Sequence, residues 1–149
     1  NYIDNNKKNI ENHIDIWKKL LNKNIDYASN TIKRTYPHGF DAEIFRACLI
    51  EENRNFSDAD FEHVTPFIYS SKEFKVKNYV NSIDFSKYRV TLDTKYDYYL
   101  INKILKKKVI QSGINSVFEI IDSAEIANFI KSDRELAELQ LLAIKKSKF

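Results

Sequence analysis

At 149 residues, with 43% hydrophobic and 13% aromatic side chains, the chain has the size and make-up of one globular domain (1–149) with a sizeable core, and its composition argues against disorder. Its net charge of +3, from 24 Lys and Arg against 21 Asp and Glu, is too small to point to nucleic acid, and no apolar run approaches the ~18 residues of a membrane span. One cysteine excludes an internal disulfide, one cysteine with three scattered histidines leaves no zinc site, and no secretory signal is visible, so a cytoplasmic protein with neither nucleic-acid nor membrane partners is expected.

Ile10, Ile14, Trp17 and Leu21 recur at helical spacing, which predicts an amphipathic helix over 10–22 with these residues facing a core. Ile25–Ser29 is a short β-like run. Thr31–Tyr36 is polar and reads as irregular chain or an edge strand, and Pro37–Gly39 reads as a turn. Asp41 then looks like an N-cap with Glu43 in a first helical turn, followed by Ile44, Phe45, Cys48 and Leu49 as a helix face, which would make Cys48 an inert core thiol. Asn53–Asp60 is a polar loop. Thr65 followed by Pro66 is the pattern of an N-cap with proline at the first helical position, opening a short helix to about Ser70.

Phe74, Val76, Asn78 and Val80 alternate with Lys75, Lys77 and Tyr79, which predicts a strand over Phe74–Val80. Tyr88–Leu92 carries β-branched Val90 and Thr91 and predicts a buried strand that delivers Asp93 to its carboxyl end, the edge at which open α/β sheets place ligands. Thr94 and Asp97 resemble a capping box, after which Tyr98, Ile101, Ile104 and Leu105 mark a helix to about Lys108. Lys106–Lys108 and Lys145–Lys148 read as cations near helix C-termini. Gly113 breaks the chain. Ser116 with Glu119 and Ser132 with Glu135 are further capping boxes, so 116–146 is expected to hold two or three helices, with Ile120, Ile121, Ile126, Phe129, Leu136, Leu139 and Leu142 inward. Helix and strand signals alternate over 1–110 and helix alone follows over 111–149, the pattern of an α/β layer with a helical C-terminal extension.

Four runs carry a resemblance. They are Tyr27-Ala28-Ser29-Asn30, Tyr36 through Phe45, Glu62-His63-Val64-Thr65-Pro66, and Arg89-Val90-Thr91-Leu92-Asp93-Thr94. In their order and spacing, from about Asp26 to Leu105, they resemble the C-terminal part of the cytidylyltransferases of the acylneuraminate/Kdo family, and more narrowly its spore-coat polysaccharide branch. The resemblance implies a nucleotide-diphospho-sugar-transferase-like α/β sandwich, present in part, and a homodimer. It also implies that CTP and an acidic sugar are joined with Mg2+ into a CMP-sugar for surface polysaccharide. The family's glycine- and basic-rich phosphate loop has no counterpart here, since the first glycine is Gly39. With no methionine and Asn1 at its start, the chain is expected to be processed or a piece of a longer protein, inactive on its own.

Asp93 matches the family's metal-ligand aspartate, and a carboxylate at a strand end suits Mg2+, which takes oxygen ligands. Without the resemblance, it reads equally as a helix-start aspartate, and Asp97 reads as a cap. Arg34 and the Gly39 turn border the acceptor pocket in this picture, because a guanidinium matches a carboxylate with two parallel donors; a surface arginine beside a turn is the other reading. Asp41 and Glu43 stand on the acceptor side or serve as cap and first-turn residues. Glu62 and His63 orient a sugar hydroxyl or brace a dimer arm; a structural role for His63 is favoured over a general base. His13 and His38 are expected to face solvent, and Tyr96, Tyr98 and Tyr99 to pack in the core and at its edge. The competing reading is a non-catalytic binding or dimerisation module that keeps the fold and lacks the nucleotide loop.

Overall fold

A computed structural model describes residues 24–52, 65–112 and 121–147, together with Lys18. The predicted 10–22 helix (Lys18 apart), the Asn53–Asp60 loop and the Ser116–Glu119 capping box lie outside them. The described residues form two compact units. One draws on Asn1–Lys33 and Ala42–Tyr79, the other on Arg34–Asp41 and Val80–Phe149.

The first unit is built on a three-stranded sheet of β1 (Tyr27–Ser29), β2 (Glu43–Phe45) and β3 (Val76–Asn78), in the order β2-β1-β3. β1 runs antiparallel to β2, with Tyr27 opposite Phe45 and Ser29 opposite Glu43, and parallel to β3, with Ser29 opposite Asn78. Tyr27, Ala28 and Ser29 are fully buried, as expected of a central strand. Two short helices lie between β2 and β3 in the chain, α1 (Cys48–Glu52) and α2 (Pro66–Ser70). The expected helix start at Asp41 is a strand instead. Asn30 fixes this outcome: its side-chain oxygen accepts from the Ala42 amide at 2.9 Å and its own amide donates to the Ala42 carbonyl at 3.3 Å. The chain therefore enters β2 already paired to β1, and Ile44 and Phe45, both strand formers, continue it. The helix begins only at Cys48, whose side chain is exposed, so the expected core thiol is a surface one.

The second unit is helical, with α3 (Lys95–Ser112), α4 (Ser123–Ser132) and α5 (Arg134–Lys146). Its core gathers Phe85, Tyr88, Leu100, Ile104, Ile126, Ala127, Phe129, Ile130 and Leu136, with Phe40, Val90, Ile121 and Leu139 packed against it. Leu142, expected inward, is 40% exposed. The expected Ser132 cap is shifted by one residue. Asp133 receives the amides of Glu135 and Leu136 at 2.9 and 3.2 Å, while Ser132 ends α4 and bonds back to the Phe129 carbonyl. The carboxylate of Asp122 caps α4 through the Glu125 amide at 2.8 Å. Lys106–Lys108 fall inside α3 rather than at its end. Lys107 pairs with Asp133 at 2.7 Å and Lys108 with Glu125, so two of these cations bind helices to one another. Lys145 and Lys146 do close α5.

Overall the described residues are mixed α/β, with three strands and five helices. No helix among them is long and apolar enough to cross a membrane.

Candidate functional site

In the second unit, Arg34–Asp41 folds along the segment that precedes Asp93. The Phe85 amide donates to the Thr35 carbonyl at 2.8 Å, the His38 amide to the Tyr88 carbonyl at 2.9 Å, and the Val90 amide to the His38 carbonyl at 2.7 Å. His38 and Arg89 thus form one parallel bridge, and the predicted Tyr88–Leu92 strand reduces to it. The reason lies in the partner segment. Pro37 has no amide hydrogen to donate. Gly39 leaves the strand direction at φ 102°, and the Phe40 amide closes the turn on the Pro37 carbonyl at 3.1 Å. Only His38 is left to pair on both sides. The predicted turn is present, and it needs glycine for a second reason: a Cβ on Gly39 would lie 2.7 Å from the Val90 carbonyl oxygen.

Beyond the bridge, Asp97 organises the chain. It is fully buried, and one of its oxygens accepts from Arg89 Nε at 2.9 Å. Its other oxygen accepts from the Thr94 amide at 2.8 Å, the Asp93 amide at 3.1 Å and Arg89 Nη2 at 3.3 Å. The Asp97 amide in turn donates to Thr94 Oγ1 at 3.2 Å, which completes the expected capping box. Burial by itself would raise the Asp97 carboxyl, but the Arg89 guanidinium and the Thr94 and Asp93 donors outweigh it and hold the pKa below the usual carboxylate value. Burial by itself would lower the Arg89 guanidinium, and Asp97 and Asp93 reverse this too, raising its pKa.

Asp93 sits at the exposed end of this network. Its side chain is 68% exposed, and one oxygen accepts from Arg89 Nη2 at 2.7 Å. Arg89 is already neutralised by buried Asp97. The three groups together carry one negative charge in excess, and Asp93 is the carboxylate that meets solvent. Among the described residues no three His, Cys, Asp or Glu converge on a metal position. One exposed carboxylate cannot enclose a cation. It does fit the protein's share of a Mg2+ borne on nucleotide phosphates, where one or two carboxylates join phosphate oxygens and water.

The structure places the other expected residues as follows. Arg34 makes a two-pronged ion pair with Asp41, one contact at 2.8 Å, so the arginine and the carboxylate at the ends of this segment hold each other. The pair raises the Arg34 pKa and lowers that of Asp41. His38, on the bridge, is exposed, as expected. Partial burial, with Arg34 and Arg89 nearby, lowers its pKa. Gly39, Arg34, Asp41 and Asp93 all belong to the second unit. Glu43 belongs to the first, where its Oε2 accepts from Thr65 Oγ1 at 2.6 Å. Glu62, His63 and His13 lie outside the described residues. Tyr98 and Tyr99 are exposed and meet edge to face at 5.7 Å, so neither is a core residue. Sequence reasoning passed over Arg89, although its spacing of four from Asp93 and eight from Asp97 was a readable signal.

The chain aligns with the solved structure of a cytidylyltransferase from Leptospira borgpetersenii serovar Hardjo-bovis with a TM-score of 0.61 and 28% identity, over 78% of this chain and 46% of that one. It is similar to a cytidylyltransferase in both sequence and fold. It spans about half the length of that enzyme. No protein-family model and no curated protein matches the chain.

Proposed function

We propose that this chain is the acceptor-side part of a CTP-dependent nucleotidyltransferase of the acylneuraminate/Kdo type, in its spore-coat polysaccharide branch. In this reading it contributes to a partial nucleotide-diphospho-sugar-transferase-like sandwich, acts as a homodimer in the cytoplasm, and activates an acidic sugar to a CMP-sugar. The observation that carries the reading is the Arg89–Asp97–Asp93 network in a chain similar to a cytidylyltransferase: it holds one surplus carboxylate in solvent on a buried, fully bonded base.

Nucleotidyl transfer to a sugar hydroxyl joins that oxygen to the α-phosphate of CTP, releases pyrophosphate and frees the hydroxyl proton to solvent. Such transfers depend on positioning and charge neutralisation more than on a general base. Asp93 would hold Mg2+, which when bound supplies neutralisation of the phosphate charge. The buried Asp97 fixes the Asp93 backbone through its amide and so keeps that carboxylate in one place. Arg34, locked by Asp41 beside the Gly39 turn, keeps guanidinium hydrogens for the sugar carboxylate. Glu43, Glu62 and His63 keep, each by itself, the acceptor role that the resemblance implies.

The test is pyrophosphate release from CTP with a panel of sugar acids, in a longer protein that contains this chain and in the 149-residue chain alone. Turnover by the longer protein, lost in Asp93→Ala and absent from the chain alone, supports the reading. The competing reading is a binding or dimerisation module without catalysis. Absence of turnover in both proteins favours that module.

A further inference from the structure

The helical unit holds a cleft of about 480 Å3 between α3 and α5, lined by Tyr99, Asn102, Lys103 and Lys106 from α3 and by Glu135 and Leu139 from α5. None of these residues serves the transfer site proposed above. The walls follow from helical spacing. Tyr99, Lys103 and Lys106 recur at intervals of four and three, and Glu135 and Leu139 at four, so each set stands on one side of its helix. The positions next to them, Leu100 and Ile104 on α3 and Leu136 on α5, fill the core. The cleft is therefore the margin of a packed helix seam. Its volume lies in the range of small-molecule sites, and the space between helices is a usual place for them.

The charges at the cleft do not balance. Lys103 pairs with Glu135 and lies 3.9 Å from Asp133, while Lys107 lies 2.7 Å from the same Asp133. With Lys106, three lysines meet two carboxylates, which leaves one positive charge in excess. Among the described residues Lys106 has no ion pair or hydrogen bond, so it carries that excess. Beside it stands an aromatic ring that the core does not use. Tyr99 is 52% exposed, and Tyr98 meets it edge to face. Tyr98 is tied in turn to Asn102, whose Nδ2 donates to the phenol oxygen at 3.3 Å and whose amide oxygen is left to accept. Leu139 adds an aliphatic wall.

These groups suit a ligand that joins a flat ring to an anionic group. The ring stacks on Tyr99 against Leu139, a donor on the ring meets Asn102, and the anion meets Lys106. A bare inorganic anion leaves the tyrosine face unused. An uncharged apolar ligand leaves Lys106 unpaired, and a cation is repelled by it. We propose that the α3–α5 cleft is a second binding site, for a small anion that carries a flat ring, the chemistry shared by nucleoside monophosphates and aromatic carboxylates.

The experiment is a titration of the 15N-labelled 149-residue chain, without CTP or Mg2+, read by amide chemical shifts. AMP and indole-3-acetate represent the two sources of the chemistry, and adenosine and inorganic phosphate carry the ring and the charge separately. At least one of the first two is expected to shift the amides of Tyr99, Asn102, Lys106 and Leu139 saturably, and the tighter of them names the source. Adenosine and phosphate should each bind about tenfold more weakly than AMP where AMP binds. Lys106→Ala should weaken binding about tenfold, for loss of one charge-assisted bond, with Tm unchanged because the side chain is exposed and unpaired. Lys145→Ala, which removes the same charge near the far end of α5, should bind as the parent does. The site is overturned if neither ligand gives a saturable shift at these amides, if Lys106→Ala binds as tightly as the parent, or if Lys145→Ala weakens binding as much. Adenosine or phosphate binding as tightly as AMP would overturn it too. The cleft shares no residue with the transfer site, so this titration can fail while CTP turnover of the longer protein succeeds, and the reverse.

Discussion

Arg89 Nε lies 2.9 Å from Oδ1 of Asp97, a carboxylate with no exposed surface, while Asp93 takes a second guanidinium nitrogen of the same arginine at 2.7 Å and stays in solvent. One cation therefore meets two carboxylates in opposite environments, and the two aspartates should answer mutation differently. Asp97→Ala leaves a buried guanidinium without its main partner and removes a cap, a loss of about 3–5 kcal/mol in denaturant unfolding. Asp93→Ala removes an exposed pairing, worth about 1 kcal/mol or less. In the longer protein it should abolish turnover with the fold intact. An equal loss of stability in both variants would contradict the assignment.

The same network sets an acid limit. The folded Asp97 pKa is depressed, so its contribution to stability is fully present above the unfolded carboxyl value of about 3.9 and is lost as pH falls through the lower folded value. Asp41, depressed by Arg34, acts in the same direction. Thermal unfolding followed from pH 6 down to pH 2 should show Tm falling below about pH 4. Asp97→Asn should start lower and fall less steeply over that window.

Gly39 is predicted to tolerate no side chain. Alanine there must hold a left-handed φ and bring its Cβ to 2.7 Å from a backbone oxygen that cannot rotate away. The loss expected in chemical denaturation is at least about 1–2 kcal/mol. Because the turn sits between Arg34 and Asp41, Gly39→Ala should also weaken that ion pair.

Cys48 gives a direct check on the helix boundary. Exposed on α1, it should react completely with a disulfide reagent in the native protein, without denaturant. Protection until unfolding would restore the core position that the sequence pattern implied.

The sequence was most readable where local chemistry decides the structure. The Thr94–Asp97 capping box and the Pro37–Gly39 turn both rest on neighbours within a few residues. It was least readable where a distant partner decides. The run Ile44, Phe45, Cys48, Leu49 has helical spacing, and pairing with β1, entered through the Asn30–Ala42 bonds, makes its first half a strand. Tyr88–Leu92 has strand composition, but a ladder needs a partner with amides to give, and Pro37 and Gly39 cut that partner to one residue. The candidate site divides in the same way. Asp93 and Asp97 were visible as types and spacing. The burial that separates them depends on packing that no local pattern encodes.

The second unit takes Arg34–Asp41 from the middle of the chain that supplies the first. It is discontinuous, and that limits how the protein can be dissected. A cut between Tyr79 and Val80 looks like a boundary along the sequence, yet the piece that begins at Val80 would carry Arg89 and Val90 without the His38 backbone that pairs with them. The Asp93 carboxylate cannot be isolated on a short autonomous module, because the register of its approach is written about fifty residues upstream.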